Sequence, residues 1–168
     1  MLRHITNREN SVLKIRNGNL SNLNDSLSLI RKKIPEKSNI SLEEIFNRLE
    51  GKDYHIKIAE KHGRLEGIFV WYGPYKKKTD CYMWLGVARR ERKHIGSLLM
   101  KNVIRDMKLS KYNEVYVKTK ISNPLAIALL KNFSFKPYTI NKRKILFMKK
   151  ELIIRQLNKI KKENPKGN

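Results

Sequence analysis

Two stretches between residues 53 and 87 constrain this chain more than any other part of it. "DYHIKIAEKHGRLEGIFVWYG", residues 53–73, places Tyr54, Ile56 and Ile58 at alternate positions, reaches His62-Gly63, and runs on through Ile68 to Tyr72 almost without a polar break. Alternation with period two is the mark of a strand, and a His-Gly pair between two such runs marks a tight turn. The stretch is therefore expected to be a hairpin whose second arm is buried on both faces. "DCYMWLGV", residues 80–87, is a second near-continuous apolar strand, reached through the turn-rich "GPYKKK".

The rest of the pattern is built around these strands. "SVLKIRNGN" reads as a short strand ending at an Asn-Gly turn, and "NLNDSLSLIRKKIP" as a helix capped by Asn22 or Asn24 and stopped by Pro35. In "SNISLEEIFNRLEGK", Ser41 and Glu44 have capping-box spacing. Leu42, Ile45, Phe46 and Leu49 form one apolar face, and Gly51 ends the helix. After "ARRERKH" the apolar residues Leu99, Met100, Val103, Ile104 and Met107 recur at helical spacing. "NEVYVKTKIS" is a strand with Val115, Val117, Thr119 and Ile121 on one side. "NPLAIALLKNF" is a helix with Asn123 as cap and Pro124 in the first turn. "FKPYTINKRKILFMKKEL" reads as two strands around an Asn-Lys turn. The expected order is β-α-α-β-β-β-α-β-α-β-β, followed by a basic C-terminal helix and polar tail over 151–168. That order predicts an α+β fold in one domain, residues 1–150, with a mixed, largely antiparallel sheet.

Composition narrows the function classes. Thirty-eight Lys and Arg against fifteen Asp and Glu leave a formal charge of +23 in 168 residues. Such a field favours polyanions: nucleic acid, an anionic membrane face or a phosphorylated cofactor. The accompanying excess of Ile and Asn allows the plainer reading that the lysines reflect compositional bias. The one cysteine, Cys81, excludes an internal disulfide and points to a reducing, cytoplasmic home. The scattered histidines His4, His55, His62 and His94 lack the spacing of a metal site, and no metal is expected. No apolar run is long enough to span a membrane, and the N-terminal residues lack a signal peptide's apolar core. A monomer or homodimer is expected.

The stretch with most chemical content is the passage from strand through basic loop to helix, "DCYMWLGV-ARRERKH-IGSLLMKNVIRDM". A helix start offers unpaired amides and a positive dipole end, so a phosphate bound there gains several hydrogen bonds. Gly96 permits close approach of the backbone, Ser97 adds a hydroxyl, and Arg89, Arg90, Arg92 and Lys93 add charge. These residues point to a phosphate or pyrophosphate ligand.

With "NPLAIALLKNFSFKP" one strand later, the passage resembles the GNAT superfamily of acetyl-CoA-dependent N-acetyltransferases, of which the chain looks like a divergent member. The family loop reads Arg/Gln-x-x-Gly-x-Gly/Ala. Here Gly96 falls on its last glycine, His94 on its first, Ile95 between them, and Glu91 on the usual Arg/Gln. In the later helix Asn123, Ala126, Leu129 and Phe135 agree with the family pattern, whereas Leu130 replaces a Tyr and Ser134 a Gly. The resemblance implies a splayed strand pair flanked by about four helices, and acetyl-CoA as cofactor. It implies a pantetheine arm bonded along Leu85, Gly86 and Val87. The pyrophosphate would rest on Arg92, Lys93, His94, Ile95, Gly96 and Ser97, with Asn123 on the cofactor side of the next helix. It implies direct attack of a primary amine on the thioester. The acceptor would be a protein N-terminus, a lysine or a small amine. Asp80 and Tyr82 are candidates for the proton-accepting side. With Leu130 at the tyrosine position, Tyr138 or Tyr116 is the candidate proton donor. Two other functions fit the same residues: a basic protein of this fold that binds or acetylates RNA, and a CoA-binding member without catalysis.

Overall fold

The computed structural model describes residues 12–89 and 94–152. Its elements follow the expected order: β1 (Lys14–Asn17), α1 (Leu20–Lys33), a short 3-10 turn (Pro35–Lys37), α2 (Leu42–Leu49), β2 (Asp53–Lys61), β3 (Arg64–Gly73), β4 (Asp80–Ala88), α3 (Ile95–Leu109), β5 (Glu114–Lys120), α4 (Pro124–Asn132), β6 (Lys136–Ile140) and β7 (Ile145–Glu151). The strands form one sheet in the order β1-β2-β3-β4-β5-β7-β6. Every neighbouring pair is antiparallel except β4 and β5, which run parallel around the crossover helix α3. This is the expected α+β architecture with a mixed, largely antiparallel sheet.

The local signals explain most of it. His62 and Gly63 both take positive φ, at 51° and 68°, so β2 and β3 are joined by the two-residue turn whose twist suits a hairpin. From Glu66 to Gly73 every residue of β3 is buried, because α1 and α2 cover one face of the sheet and α3 the other. Ser41 and Glu44 form the expected capping box on α2. On α1 the cap is Asn19, one residue after the Asn-Gly pair, and Asn22 supplies the return bond instead of capping. Phe46 does not join Ile45 and Leu49 in the core. It is 40% exposed, on the outer side of α2.

Two cores result. One lies under α3 and α4 and includes Trp71, Met83, Leu99, Val103, Val117 and Leu130. The other lies under α1 and α2 and includes Leu23, Ile45, Ile58, Tyr82, Leu85 and Tyr116. Helix α3 is also pinned from outside the apolar contacts. Lys57 of β2 reaches Asp106 on α3 and donates to Asn17 Oδ1 at 2.5 Å, so a buried charge ties the helix to the sheet. At the chain's far end Glu151 closes β7 and Leu152 is buried in the α3-side core. The remainder of the expected C-terminal helix, residues 153–168, lies outside the described residues.

Candidate active site

The parallel pair β4–β5 is short. Asp80 faces Glu114, Cys81 faces Val115, Tyr82 faces Tyr116 and Met83 faces Val117, and there the pairing stops. Both strands continue. β4 stays bonded to β3 as far as Ala88, and β5 stays bonded to β7 as far as Lys120. The sheet is therefore split between them, with its open end toward the start of α3. A bulge sits at the point of parting. Val70 pairs with Leu85 and Trp71 with Met83, so Trp84 has no partner on β3. A bulge bends and twists its strand.

Leu85, Gly86 and Val87 lie on the free edge that the split creates. The side chains of Leu85 and Val87 point into the α1–α2 core, so what they offer the split is backbone. Backbone groups on such an edge are ready donors and acceptors for an extended ligand. Gly86 has a local reason to be glycine: a Cβ there would come within 2.8 Å of the Phe69 ring. Trp84, which an apolar strand would place in the core, is half-buried, with Lys37 5.2 Å and Arg48 5.9 Å from its ring.

Helix α3 opens at the mouth of the split. Its N-cap, His94, has φ 58° and ψ 2°, a left-handed conformation that suits glycine. The resemblance aligns a glycine with this position, and the backbone here has kept the glycine's conformation without the residue. His94 provides no side-chain cap, and α3 has no acidic residue in its first turn. The other three helices are capped by Asn19, Ser41 and Asn123. The positive end of α3 and the amides of Ile95, Gly96 and Ser97, which have no partner within the helix, thus face outward without a compensating side chain from His94. Ile95 contributes only its amide, since its side chain is in the core. Gly96 takes an ordinary helical backbone, and an added Cβ would meet nothing closer than Leu129 Cδ2 at 3.5 Å. Packing does not require this glycine. A missing Cβ in the first turn, on the side of α4, leaves room for an anion to approach the backbone closely. Asn123 accepts from the amide of Ala126 at 3.1 Å and so begins α4 across the split from α3. Arg92 and Lys93, expected among the phosphate-binding groups, lie outside the described residues.

On the α1–α2 side, beneath the closed end of the split, lies a chain of aromatic rings. Tyr82 lies 4.7 Å from Tyr75, Tyr75 lies 5.5 Å from Tyr116, and Tyr116 makes an edge contact with Tyr138 at 5.9 Å. The structure thus brings together Tyr82 and Tyr138, which are 56 positions apart in the chain. Tyr82 is buried, and burial pushes its hydroxyl pKa up, so it stays protonated. Tyr138 is 40% exposed at the rim. Asp80 stands at the closed end, three residues before Met83 and so about 10 Å along the strand from the parting point. It is buried, and its Oδ2 has no hydrogen-bond partner among the described residues.

One participant was not read from the sequence. Glu114, at the start of β5, accepts from the Tyr116 hydroxyl at 2.6 Å and from Lys149 Nζ at 2.9 Å. The Tyr116 bond, then Lys149, hold its carboxyl below the usual range, and the same bond raises the Tyr116 hydroxyl. The i, i+2 spacing of Glu114 and Tyr116 in a strand was the signal that could have paired them. Two other residues are inert. Leu130, at the family's tyrosine position, is 3% exposed in the α3-side core, and burial raises the Cys81 thiol pKa well above its ordinary value. Among the described residues no group of His, Cys, Asp or Glu could hold a metal ion. No described helix is long and apolar enough to cross a membrane.

A parallel strand pair that parts at a bulge and feeds an uncapped helix defines a frame for an extended, anion-ended ligand. Residues 23–135 match the family model described as Acetyltransferase (GNAT) family, and the chain belongs to that family, whose cofactor is acetyl-CoA. Solved structures of other proteins share the fold at low sequence identity. The PaiA N-acetyltransferase of Thermoplasma acidophilum, solved in complex with coenzyme A, superposes with a TM-score of 0.71 at 15% identity, covering 83% of this chain and 99% of that one. A ribosomal-protein alanine N-acetyltransferase of Escherichia coli gives 0.71 at 14% identity over 88% and 98%. Its counterpart from Brucella melitensis gives 0.65 at 21% identity over 83% and 99%. No curated protein sequence matches the chain.

Proposed function

We propose that this protein is an N-acetyltransferase that uses acetyl-CoA to acetylate a primary amine by direct attack, with both substrates bound together. The observation that carries the reading is the split beyond Met83 and Val117, opening onto the uncapped start of α3. When bound, acetyl-CoA supplies an acyl thioester open to nucleophilic attack. The free edge at Leu85, Gly86 and Val87 would bond its pantetheine arm. The amides of Ile95, Gly96 and Ser97, with the hydroxyl of Ser97, would hold the pyrophosphate. His94 would stand beside it, together with Arg92 and Lys93, and Asn123 would fix the start of α4 on the opposite bank.

The proton-handling groups lie on the α1–α2 side. An alkylammonium has an ordinary pKa near ~10 and must lose a proton before it can attack. Tyr116 keeps its proton on Glu114, which leaves the lone pairs of its Oη free to accept a bond from the amine. Asp80 Oδ2, a buried oxygen with no partner among the described residues, is assigned as the proton acceptor. Tyr82 walls the cleft, and Tyr138, exposed at its rim, is assigned to return a proton from its Oη. Cys81 supports direct attack by exclusion, because a buried, protonated thiol is no relay for an acetyl group. The domain proposed to be responsible is residues 1–150 together with Glu151, which closes β7, and the buried Leu152.

Acetyl-CoA tests the reading through thermal unfolding. At a hundredfold excess over Kd, a ligand that binds only the folded state adds about 2.7 kcal/mol of stability. Acetyl-CoA should raise Tm, and an amine panel should release free CoA thiol without any acetylated protein intermediate in intact-mass spectra. No shift in Tm at saturating acetyl-CoA would refute it.

A further inference from the structure

Cations ring the tyrosine cluster, and one of them, Lys76, donates to the Tyr138 hydroxyl at 3.4 Å. Lys76 Nζ lies 4.5 Å from the Tyr116 ring and 5.0 Å from Tyr138. Lys118 Nζ lies 5.8 Å from Tyr82 and 5.1 Å from Phe147, and Lys52 Nζ lies 4.8 Å from Tyr72. Arg48 lies over Trp84. None of these four has a carboxylate partner among the described residues. The carboxylates on the paired part of β4 and β5 do not answer them: Glu114 is taken by Lys149 and Tyr116, and Asp80 is buried. They come from three separate places in the chain, the end of α2, the β3–β4 loop and the outer part of β5, and converge only in the fold. A cationic acceptor such as a polyamine or a basic peptide would be repelled there.

We propose that the acceptor is an acidic peptide whose primary amine enters the cleft beside Tyr116 while its carboxylates pair with Lys76, Lys118, Lys52 and Arg48. The inference rests on the acetyltransferase reading for what becomes of the amine, and adds the class of molecule that carries it. A peptide fits better than a nucleic acid. Bases bind by stacking on open aromatic faces. Here Tyr72, Tyr82 and Tyr116 are less than 10% exposed, and lysine ammonium groups lie over their rings. The exposed ring of Tyr138 has Lys76 over it and the half-buried Trp84 has Arg48, so what is left outward is mostly charge, and that suits carboxylates on a flexible chain.

Calorimetric titration of the full chain tests this without requiring turnover. The probes are two short peptides with the same free N-terminal serine, one continuing in Asp and Glu and the other in Lys and Arg, and a single-stranded oligonucleotide of the acidic peptide's charge. The acidic peptide should bind about tenfold more tightly than the basic one, as two or three exposed ion pairs would give, and the gap should narrow in high salt. Lys76→Glu and Lys118→Glu should each reduce that preference severalfold. Lys101→Glu, an equal change in net charge on the exposed side of α3, should leave it unchanged. Equal binding of the two peptides, tighter binding of the oligonucleotide, or an effect of Lys101→Glu equal to that of Lys118→Glu would overturn the proposal. Failure of the acetyltransferase reading looks different: acetyl-CoA would leave Tm unmoved while the peptide preference persisted.

Discussion

Replacing Gly96 with alanine separates a glycine kept for a ligand from one kept for packing. The residue sits in the first turn of α3 with an ordinary helical φ, and the nearest atom to an added Cβ is Leu129 Cδ2 at 3.5 Å, an ordinary van der Waals distance. The free protein therefore meets no clash. Alanine gains helix propensity and restricts the unfolded chain, which together amount to about 0.5–1 kcal/mol. For a chain of this length that raises Tm by roughly 1–4 °C. The ligand sees the opposite effect. On the proposed reading, a methyl group there would hold the pyrophosphate away from the amides of Ile95, Gly96 and Ser97. Loss of one charge-assisted hydrogen bond weakens binding by about tenfold or more. Scanning calorimetry without ligand and titration with acetyl-CoA read the two effects separately. A lower Tm for Gly96→Ala would show that the helix start is tighter than its geometry indicates. A higher Tm with unchanged affinity would show that no phosphate approaches this turn.

Further expectations follow from the same geometry. His94→Gly should relieve the left-handed N-cap and stabilise the protein by about 0.5–1 kcal/mol after the extra chain entropy of glycine, whereas His94→Ala should gain nothing; urea denaturation distinguishes them. Tyr116→Phe removes the largest cause of Glu114's lowered pKa. A depressed carboxyl adds stability above its ordinary pKa and loses it as pH falls through the depressed value, so this variant should be less stable than the parent at neutral pH, and the difference should shrink as pH falls through the carboxylate range in urea titrations at several pH values. Leu130→Tyr, which restores the family residue, should not restore a proton donor. At 3% exposure the larger ring has no room, and the variant should lose about 1–3 kcal/mol in denaturant titrations and gain no turnover.

The parts of this fold that were legible in the sequence are those decided locally. Ser41 and Glu44 form a capping box because both partners lie within one turn. The His62-Gly63 turn and the apolar face of α3 follow from neighbours two to four residues apart. The misreadings share a cause, since each was decided by something distant in the chain. Phe46 has the spacing of a core residue, but Ile45 and Leu49 already fill the sheet-facing side of α2. Trp84 looks like core in an apolar run, and a register shift against β3 turns it toward Lys37 and Arg48. Glu114 stood out in no motif. Its role depends on Lys149, which only the β5–β7 pairing brings within reach. The loop at His94 was legible in the opposite sense: the sequence lacks a glycine there, and the backbone keeps the conformation that a glycine would favour.

The split at the centre of the site is held by pairing rather than by loops. β4 follows β3 out to Ala88 while β5 follows β7 out to Lys120, and the bulge at Trp84 bends the first where their mutual pairing ends. The split is thus set within the sheet, and the two faces of the molecule offer it different groups. The α3 side offers backbone amides and a helix end, groups that do not depend on which side chain a residue carries. The α1–α2 side offers Lys52, Lys76, Lys118 and Arg48 over aromatic rings, groups that a single substitution can reverse. On the proposed reading, the choice of acceptor would therefore reside in side chains outside the family motif.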